Sequence, residues 1–231
     1  MCGRYTLAAV DPGAVRSRFA VGESVDVRRR YNVVPGDSVL AVTTDRDGAP
    51  CGELLRWGLV PTWADKPDTG LKMINARVET VAQRPAFRRA FGRYRCLIIA
   101  DGFYEWKHVP GAGKQAFHIT RKDGAPFAFA GLWSTWRRDA ECALRSCTIL
   151  TTAANRTVAS LHDRMPIILA AEFEAAWLDS GTSPAELRDL LIGLGVGQTA
   201  VRPVGTAVND SRYDGPECLA PPPPTLQATL F

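Results

Sequence analysis

The sequence predicts an α+β fold in a single domain, and three observations carry that expectation. Its 231 residues, 46% hydrophobic and 23% charged, supply enough apolar material for a sizeable core at a length that fits one domain or at most two. Short β-rich runs recur with turn signals between them, and helical patterns are fewer. The two kinds of element do not alternate regularly, which favours α+β, with a mixed or antiparallel sheet, over a doubly wound α/β architecture.

In chain order, residues 14–21 carry the first helical pattern and residues 38–43 the first β-rich run. A helical stretch near 78–91 is interrupted by Pro85. Strands are expected at 95–104, 116–120, 126–132, 145–152 and 165–169, and a helix at 172–178. The clearest helix opens at Ser183: the serine can cap, Pro184 suits the first helical position, and Glu186, three residues after the cap, completes a capping box. From Ala220 onward, with proline at 221–224, the chain cannot join a sheet or helix interior. The expected organisation is a domain over 1–219 and an extended or disordered tail over 220–231, with no internal repeat.

Several classes are excluded by composition. No apolar run reaches the roughly 18 to 20 residues that span a bilayer. The opening MCGRYT lacks the basic, then apolar, pattern of a signal segment, so a soluble protein of the cytosol is expected. Six cysteines form no CxxC pair and only three histidines accompany them, so neither a structural zinc, another metal nor a disulfide framework is expected, and no cofactor. The formal charge of +4 does not by itself identify nucleic acid. Its distribution says more: Arg28, Arg29 and Arg30 cluster, and residues 84–95 hold five arginines, although each cluster taken alone also reads as a solvated face.

The amino terminus carries a distinctive reagent. Methionine is commonly trimmed before a small residue, and here Cys2 and Gly3 follow it. Trimming leaves a 1,2-aminothiol whose α-amine has a reference pKa of about 7.7 to 8.0, against about 10.4 for lysine. Its neutral fraction at pH 7 is therefore roughly several hundredfold larger. Such an amine forms an imine with an aldehyde, and the neighbouring thiol can close a five-membered thiazolidine on the imine carbon. On MC alone, an ordinary second-residue cysteine is the commoner outcome.

Three further segments supply groups that can assist. In INARVET, Asn75 and Arg77 are two apart and would face the same way on a strand; a turn cap and a surface ion pair are the plainer alternatives. In DGFYEWK, Glu105 sits at a strand end among three aromatics, surroundings that raise a carboxyl pKa towards the range useful for acid and base work, or it is simply exposed on the alternate face. In HDRMP, His162 can shuttle protons near neutrality and Arg164 can clamp a phosphate; a structural loop histidine is the alternative.

Together, MCGRY, YNVVPG at 31–36, RWGLVPTW at 56–63, INARVET, DGFYEWK and HDRMP resemble, in order and spacing, the SRAP family, named for association with the bacterial SOS response. The resemblance spans roughly residues 2–209. It implies a compact α+β domain with a barrel-like sheet and a protein that shields abasic sites in single-stranded DNA. Residue by residue, it implies that Cys2 is the crosslinking nucleophile, that Asn75 positions its amine or the thiazolidine, and that Glu105 and His162 transfer protons. Arg4, Arg77 and Arg164 match positions that hold the DNA backbone, Thr151 a further pocket contact, and Asn32 and Pro35 the loop beside the terminal cysteine. The aromatic pair after the proline of RWGLVPTW varies in the family, and here Trp63 is followed by Ala64.

The expected partner is therefore single-stranded DNA containing abasic sites, bound by a monomer. Phosphate contacts give little dependence on base sequence, and aromatic side chains can stack on neighbouring bases. Imine formation also activates the sugar for β-elimination, so weak lyase activity accompanies this reading. Two rivals remain: a thiol peptidase, including one that removes its own Met1, and a non-covalent reader of single-stranded or modified DNA.

Overall fold

The computed structural model describes residues 2–8, 11–109, 113–139 and 143–223. Twelve strands are present: β1 (Tyr5–Leu7), β2 (Arg30–Val33), β3 (Ser38–Thr44), β4 (Pro50–Trp57), β5 (Asn75–Arg77), β6 (Arg95–Ala100), β7 (Gly102–Val109), β8 (Gly113–Arg121), β9 (Phe127–Arg137), β10 (Ala143–Ala153), β11 (Arg164–Pro166) and β12 (Thr199–Val204). The helices are α1 (Pro12–Phe19), α2 (Arg88–Arg93), α3 (Arg156–Ala159), α4 (Glu174–Leu178) and α5 (Pro184–Leu190).

Strands β10, β4, β3, β6 and β9 pair in that order, and β9 returns to β10, so the sheet closes into a five-stranded barrel. It is mixed, because β10 runs parallel to β4 and β5 but antiparallel to β9 and β11. A second, antiparallel sheet has the order β12-β8-β7-β1-β2. The predicted α+β class holds, with the barrel as its centre.

Strand alternation divides the core in two. Val39, Ala41, Leu55, Trp57, Cys96, Ile98, Phe129, Cys147 and Ile149 pack together with Tyr5 and Phe103 of the second sheet. The Tyr5 ring meets Trp57 and Phe129 edge-on, with centroids 5.2 and 5.7 Å away. Gly131 keeps this interior tight, since a Cβ there would lie 2.8 Å from Cys96 Sγ. The opposite faces, with Leu40, Val42, Leu97, Ile99 and Leu150, lie against Val15, Phe19, Phe91, Trp177 and Leu187 of the helices. Both faces of β6 are thus covered, which accounts for the apolar run that follows Arg95 from Cys96 to Ala100.

Arg95, at the start of β6, is buried and donates to the carbonyls of Phe91 and Gly92 in α2, and of Trp177 and Asp179 where α4 ends. A cation here answers carbonyls that helix ends leave unpaired.

The capping box read at Ser183 is present, with Glu186 N–H on Ser183 Oγ at 3.3 Å and Ser183 N–H on Glu186 Oε2 at 2.9 Å. Other boundaries shift. The expected strand 95–104 is two strands in two sheets, divided at Asp101, whose carboxylate accepts from Thr6 Oγ1 and Ala8 N–H and whose own N–H bonds Thr6 O. The expected helix near 78–91 is a series of turns, and only Arg88–Arg93 is helical, since Pro85 removes a donor and disfavours a helical residue before it. The run 165–169 contributes only Arg164–Pro166 and an isolated bridge from Ile168 to Phe129. Residues 221–223 have no regular structure, and the rest of the tail, 224–231, lies outside the described residues. No helix among the described residues is long and apolar enough to cross a membrane.

Candidate active site

Cys2 enters the fold just before β1. Tyr5 pairs with Phe103 and Thr6 with Gly102, and one more bond, Tyr104 N–H to Arg4 O, carries the chain's first residues alongside Glu105 of β7. The Cys2 side chain is buried, and its Sγ donates weakly to Arg4 O at 3.7 Å. Burial and the negative charge of Glu105 both push this thiol well above its ordinary pKa.

Asn75 comes from β5, which β10 holds in parallel register: Asn75 opposite Ile149, Arg77 opposite Thr151. Its Nδ2 donates to the Cys2 carbonyl at 2.7 Å. Its Oδ1 is buried with no hydrogen-bond partner among the described residues. The Asn75 amide is therefore engaged through its donor, with one acceptor to spare.

Glu105 is 4% exposed, and burial raises its carboxyl pKa, partly offset by the nearby His162. His162 sits between α3 and β11. Asn155 caps α3 by accepting from Val158 N–H at 3.0 Å, and the next turn brings His162 N–H onto Val158 O. Its Nδ1 accepts from Arg164 N–H at 3.0 Å and lies 2.7 Å from Asp163 Oδ1. Cys2, Asn75, Glu105 and His162, about 160 residues apart at the extremes, are thus brought near one another: the Asn75 amide holds the Cys2 carbonyl, and the Glu105 carboxyl lies close enough to feel both Cys2 and His162.

The remaining predicted residues divide. Arg77, exposed on β5, makes no ion pair among the described residues. Thr151 is buried and donates to Ala76 O at 3.4 Å. Arg164 beside it grips both oxygens of Glu79 at 2.6 and 2.9 Å and donates to Thr151 O at 2.6 Å. These three line an edge formed by β5, β10 and β11. Arg4 and Asn32 instead hold the chain's C-terminal segment. Arg4 Nη1 donates to Asn32 Oδ1 at 3.0 Å and Val208 O at 2.6 Å, and its guanidinium lies 5.8 Å over the Trp106 ring. The buried Asn32 amide donates to Asp210 O and Tyr213 O, while Asp214 accepts from the backbone N–H of Tyr31 and Asn32. Pro35 is half-buried in the turn joining β2 to β3.

Sequence reasoning missed Glu79 as the partner of Arg164 and Trp106 as the neighbour of Arg4. Neither had a signal in the sequence, because each contact joins segments about 85 or 100 residues apart. It also missed a buried network in which Thr6 Oγ1 meets Asp101 Oδ1 at 2.5 Å and His118 Nε2 at 3.0 Å. Burial drives the pKa of His118 down to about 3, so it stays neutral and structural. Among the described residues no group of three His, Cys, Asp or Glu side chains can hold a metal ion.

Comparison with known proteins identifies the family. The family model described as SOS response associated peptidase (SRAP) matches residues 1–211. The abasic site processing protein YoaM of Bacillus subtilis is 40% identical, over 95% of this chain and 97% of its own. YedK of Escherichia coli, of the same description, is 35% identical over 96% and 100%. The abasic site processing protein HMCES of Xenopus tropicalis is 32% identical over 72% of this chain and 56% of its own length. Among solved structures, a protein from Bacteroides thetaiotaomicron superposes with a TM-score of 0.83 over 95% of this chain and 99% of its own, at 23% identity, which speaks for the fold alone. A phage-related protein from Bordetella bronchiseptica gives 0.71 at 30% identity, over 92% and 99%. With its own motifs, a family model over residues 1–211 and relatives matched along nearly the whole length, the chain belongs to the SOS response associated peptidase (SRAP) family.

Proposed function

We propose that this protein processes abasic sites, and does so by bonding Cys2 covalently to the aldehyde of an abasic sugar in single-stranded DNA. The observation that carries the reading is the meeting of Cys2 with Glu105 in a buried pocket while Asn75 grips the Cys2 carbonyl. Removal of Met1 frees the α-amine at that point. The names of the relatives, abasic site processing proteins, supply the substrate class.

The chemistry runs in balanced steps. His162 takes the hydroxyl proton of the closed sugar hemiacetal and returns it to the ring oxygen, exposing the aldehyde. The neutral amine adds to the carbonyl carbon, its two protons pass by way of the Glu105 carboxyl to the former carbonyl oxygen, which leaves as one water, and a neutral imine remains with Glu105 returned to its starting state. The thiol then adds across the C=N bond. Its sulfur takes the carbon, its proton passes through Glu105 to the nitrogen, and a thiazolidine results. The raised thiol pKa keeps the sulfur protonated until that step. The Asn75 Oδ1 acceptor is suited to the amine or ring N–H. Arg77 and Arg164 serve the phosphates on either side, with Thr151 at the pocket edge and Arg4, Asn32 and Pro35 shaping the floor. β-Elimination from the imine competes as a weak lyase reaction, which ring closure limits. One chain supplies every group.

The test is intact mass spectrometry after incubation with abasic single-stranded DNA. The trimmed protein should gain the mass of the DNA less one water, without reductant. A form with Met1 retained or an amino-terminal tag should gain nothing, since its amine is in a peptide bond. Cys2→Ala should be trapped only with borohydride. Equal crosslinking by the Met1-retaining form would place the attacking group elsewhere.

A further inference from the structure

The end of the barrel away from Cys2 carries a second cleft. Thr43, Glu53, Trp133 and Arg145 project on the same strand faces as Ala41, Leu55, Gly131 and Cys147 of the interior, and so ring the mouth opposite the one that Tyr5 fills. Along β10, the level of Asn75 is Ile149 and Arg145 stands at this mouth, about 13 Å away at the usual rise of a strand. Beside the mouth lies a cavity of about 480 Å³ between α2, the loop 61–63 and the end of β9, and a more open one of about 960 Å³ continues past Tyr94 and Trp133.

The lining of the first cavity is chemically one-sided. Arg88, Arg89 and Arg137 are exposed and make no ion pair among the described residues, and no Asp or Glu lines it. Its wall is aromatic. Tyr94 and Trp133 meet edge-on at 5.0 Å and Arg89 lies 5.5 Å over Tyr94, while Arg145 of the adjoining cavity, paired with Glu53 at 2.8 Å, lies 4.2 Å over Trp133. Trp63 stands at the rim, 61% exposed. Guanidinium groups outside ion pairs recognise phosphate oxygens by their planar forks, Arg89 here also donating to the Tyr94 hydroxyl at 3.4 Å, and aromatic and guanidinium faces suit the faces of unpaired bases. An acidic polypeptide would use the charge but leave the aromatic wall without a matching surface. The volume falls within the roughly 300 to 1,000 Å³ typical of small-ligand sites, ample for a nucleotide unit.

We infer that this cleft is a second nucleic-acid site, in which an unpaired stretch of DNA lays its phosphates on Arg88, Arg89 and Arg137 and a base against the Tyr94–Trp133 wall. That the strand is the flank of the one whose abasic sugar reaches Cys2 rests on the function proposed above; the site itself does not.

The experiment compares the native protein with an Arg88→Gln, Arg89→Gln, Arg137→Gln variant, all three changes being at exposed positions. Fluorescence anisotropy follows an unmodified oligonucleotide of about 16 nucleotides at several salt concentrations, and gels follow crosslinking to an abasic oligonucleotide of about 4. Matching melting temperatures confirm folding. The variant should bind the long strand about tenfold or more weakly, with a salt slope shallower by about 2 for three lost contacts, and crosslink the short one at the native rate. Equal affinity and slope for the long strand overturn the inference. So does slower crosslinking of the short one, which would make the cleft part of the Cys2 site, and so does displacement of the long strand by polyglutamate more readily than by unlabelled DNA. If the native protein fails to crosslink at all while the variant still loses long-strand affinity, the cleft stands and the Cys2 chemistry falls.

Discussion

The amide of Asn75 donates to the carbonyl of Cys2 at 2.7 Å, so Cys2 is held through its backbone, and that contact takes up neither its nitrogen nor its sulfur. Removing such a donor leaves a buried carbonyl unpaired, at a cost of about 1 to 3 kcal/mol. Asn75→Ala should therefore slow crosslinking by about tenfold or more, while the affinity for undamaged single strands, measured by anisotropy, stays at the native value.

Glu105 offers a test that couples activity to stability. Its folded-state pKa is raised by burial, so between the unfolded value of about 4.3 and the folded value the native state binds more protons than the unfolded chain. Stability must then fall as pH rises through that window, and the cost is fully present above it. Glu105→Gln removes the titration. It should melt above the native protein at pH 7 to 8, lose that advantage by about pH 4, and crosslink about a hundredfold more slowly. Melting scans across this range, with parallel rates, read both effects; a variant that melts lower at neutral pH would refute the assignment.

Glu79 occupies the fork of Arg164 with both oxygens, and the pairing holds its carboxyl below the ordinary range. If Arg164 serves a phosphate, Glu79 competes for it. Glu79→Gln should tighten single-strand binding and steepen its salt dependence, whereas Arg164→Ala and Arg77→Ala should each weaken binding and flatten the slope by about 0.7. Salt titrations of the three variants decide it.

Asn32 is predicted to act first on stability. Its amide satisfies the carbonyls of Asp210 and Tyr213 and accepts from Arg4, all in a buried setting. Asn32→Ala should cost about 2 to 3 kcal/mol in denaturant unfolding. A variant of native stability but lost DNA affinity would show instead that the side chain meets the strand directly.

Much of this fold was legible where local chemistry decides. Ser183, Pro184 and Glu186 announce a capped helix because each bond of the cap lies within four residues. The strand runs at 38–43, 116–120 and 145–152 lie within β3, β8 and β10, since residues on both faces of them meet a core. The break at Asp101 was not legible: whether an apolar run continues or changes sheet depends on Thr6 and Ala8, nearly a hundred residues earlier. Cys2, Asn75, Glu105 and His162 could be named as candidates because they sit in short, ordered motifs. That Arg4 and Asn32 face Val208 and Tyr213 was hidden, because a contact over some 180 to 200 positions leaves no mark in either segment.

Those contacts also impose an order on biosynthesis. Arg4 leaves the ribosome some 200 residues ahead of the Val208 carbonyl it holds, and Tyr31 and Asn32 some 180 ahead of the Asp214 carboxylate that receives their N–H groups. A nascent chain therefore carries Cys2 and Arg4 before the contacts that hold this segment exist. Arrest before residue 214 should leave translation products that contain residues 2–4 intact and yet lack those contacts.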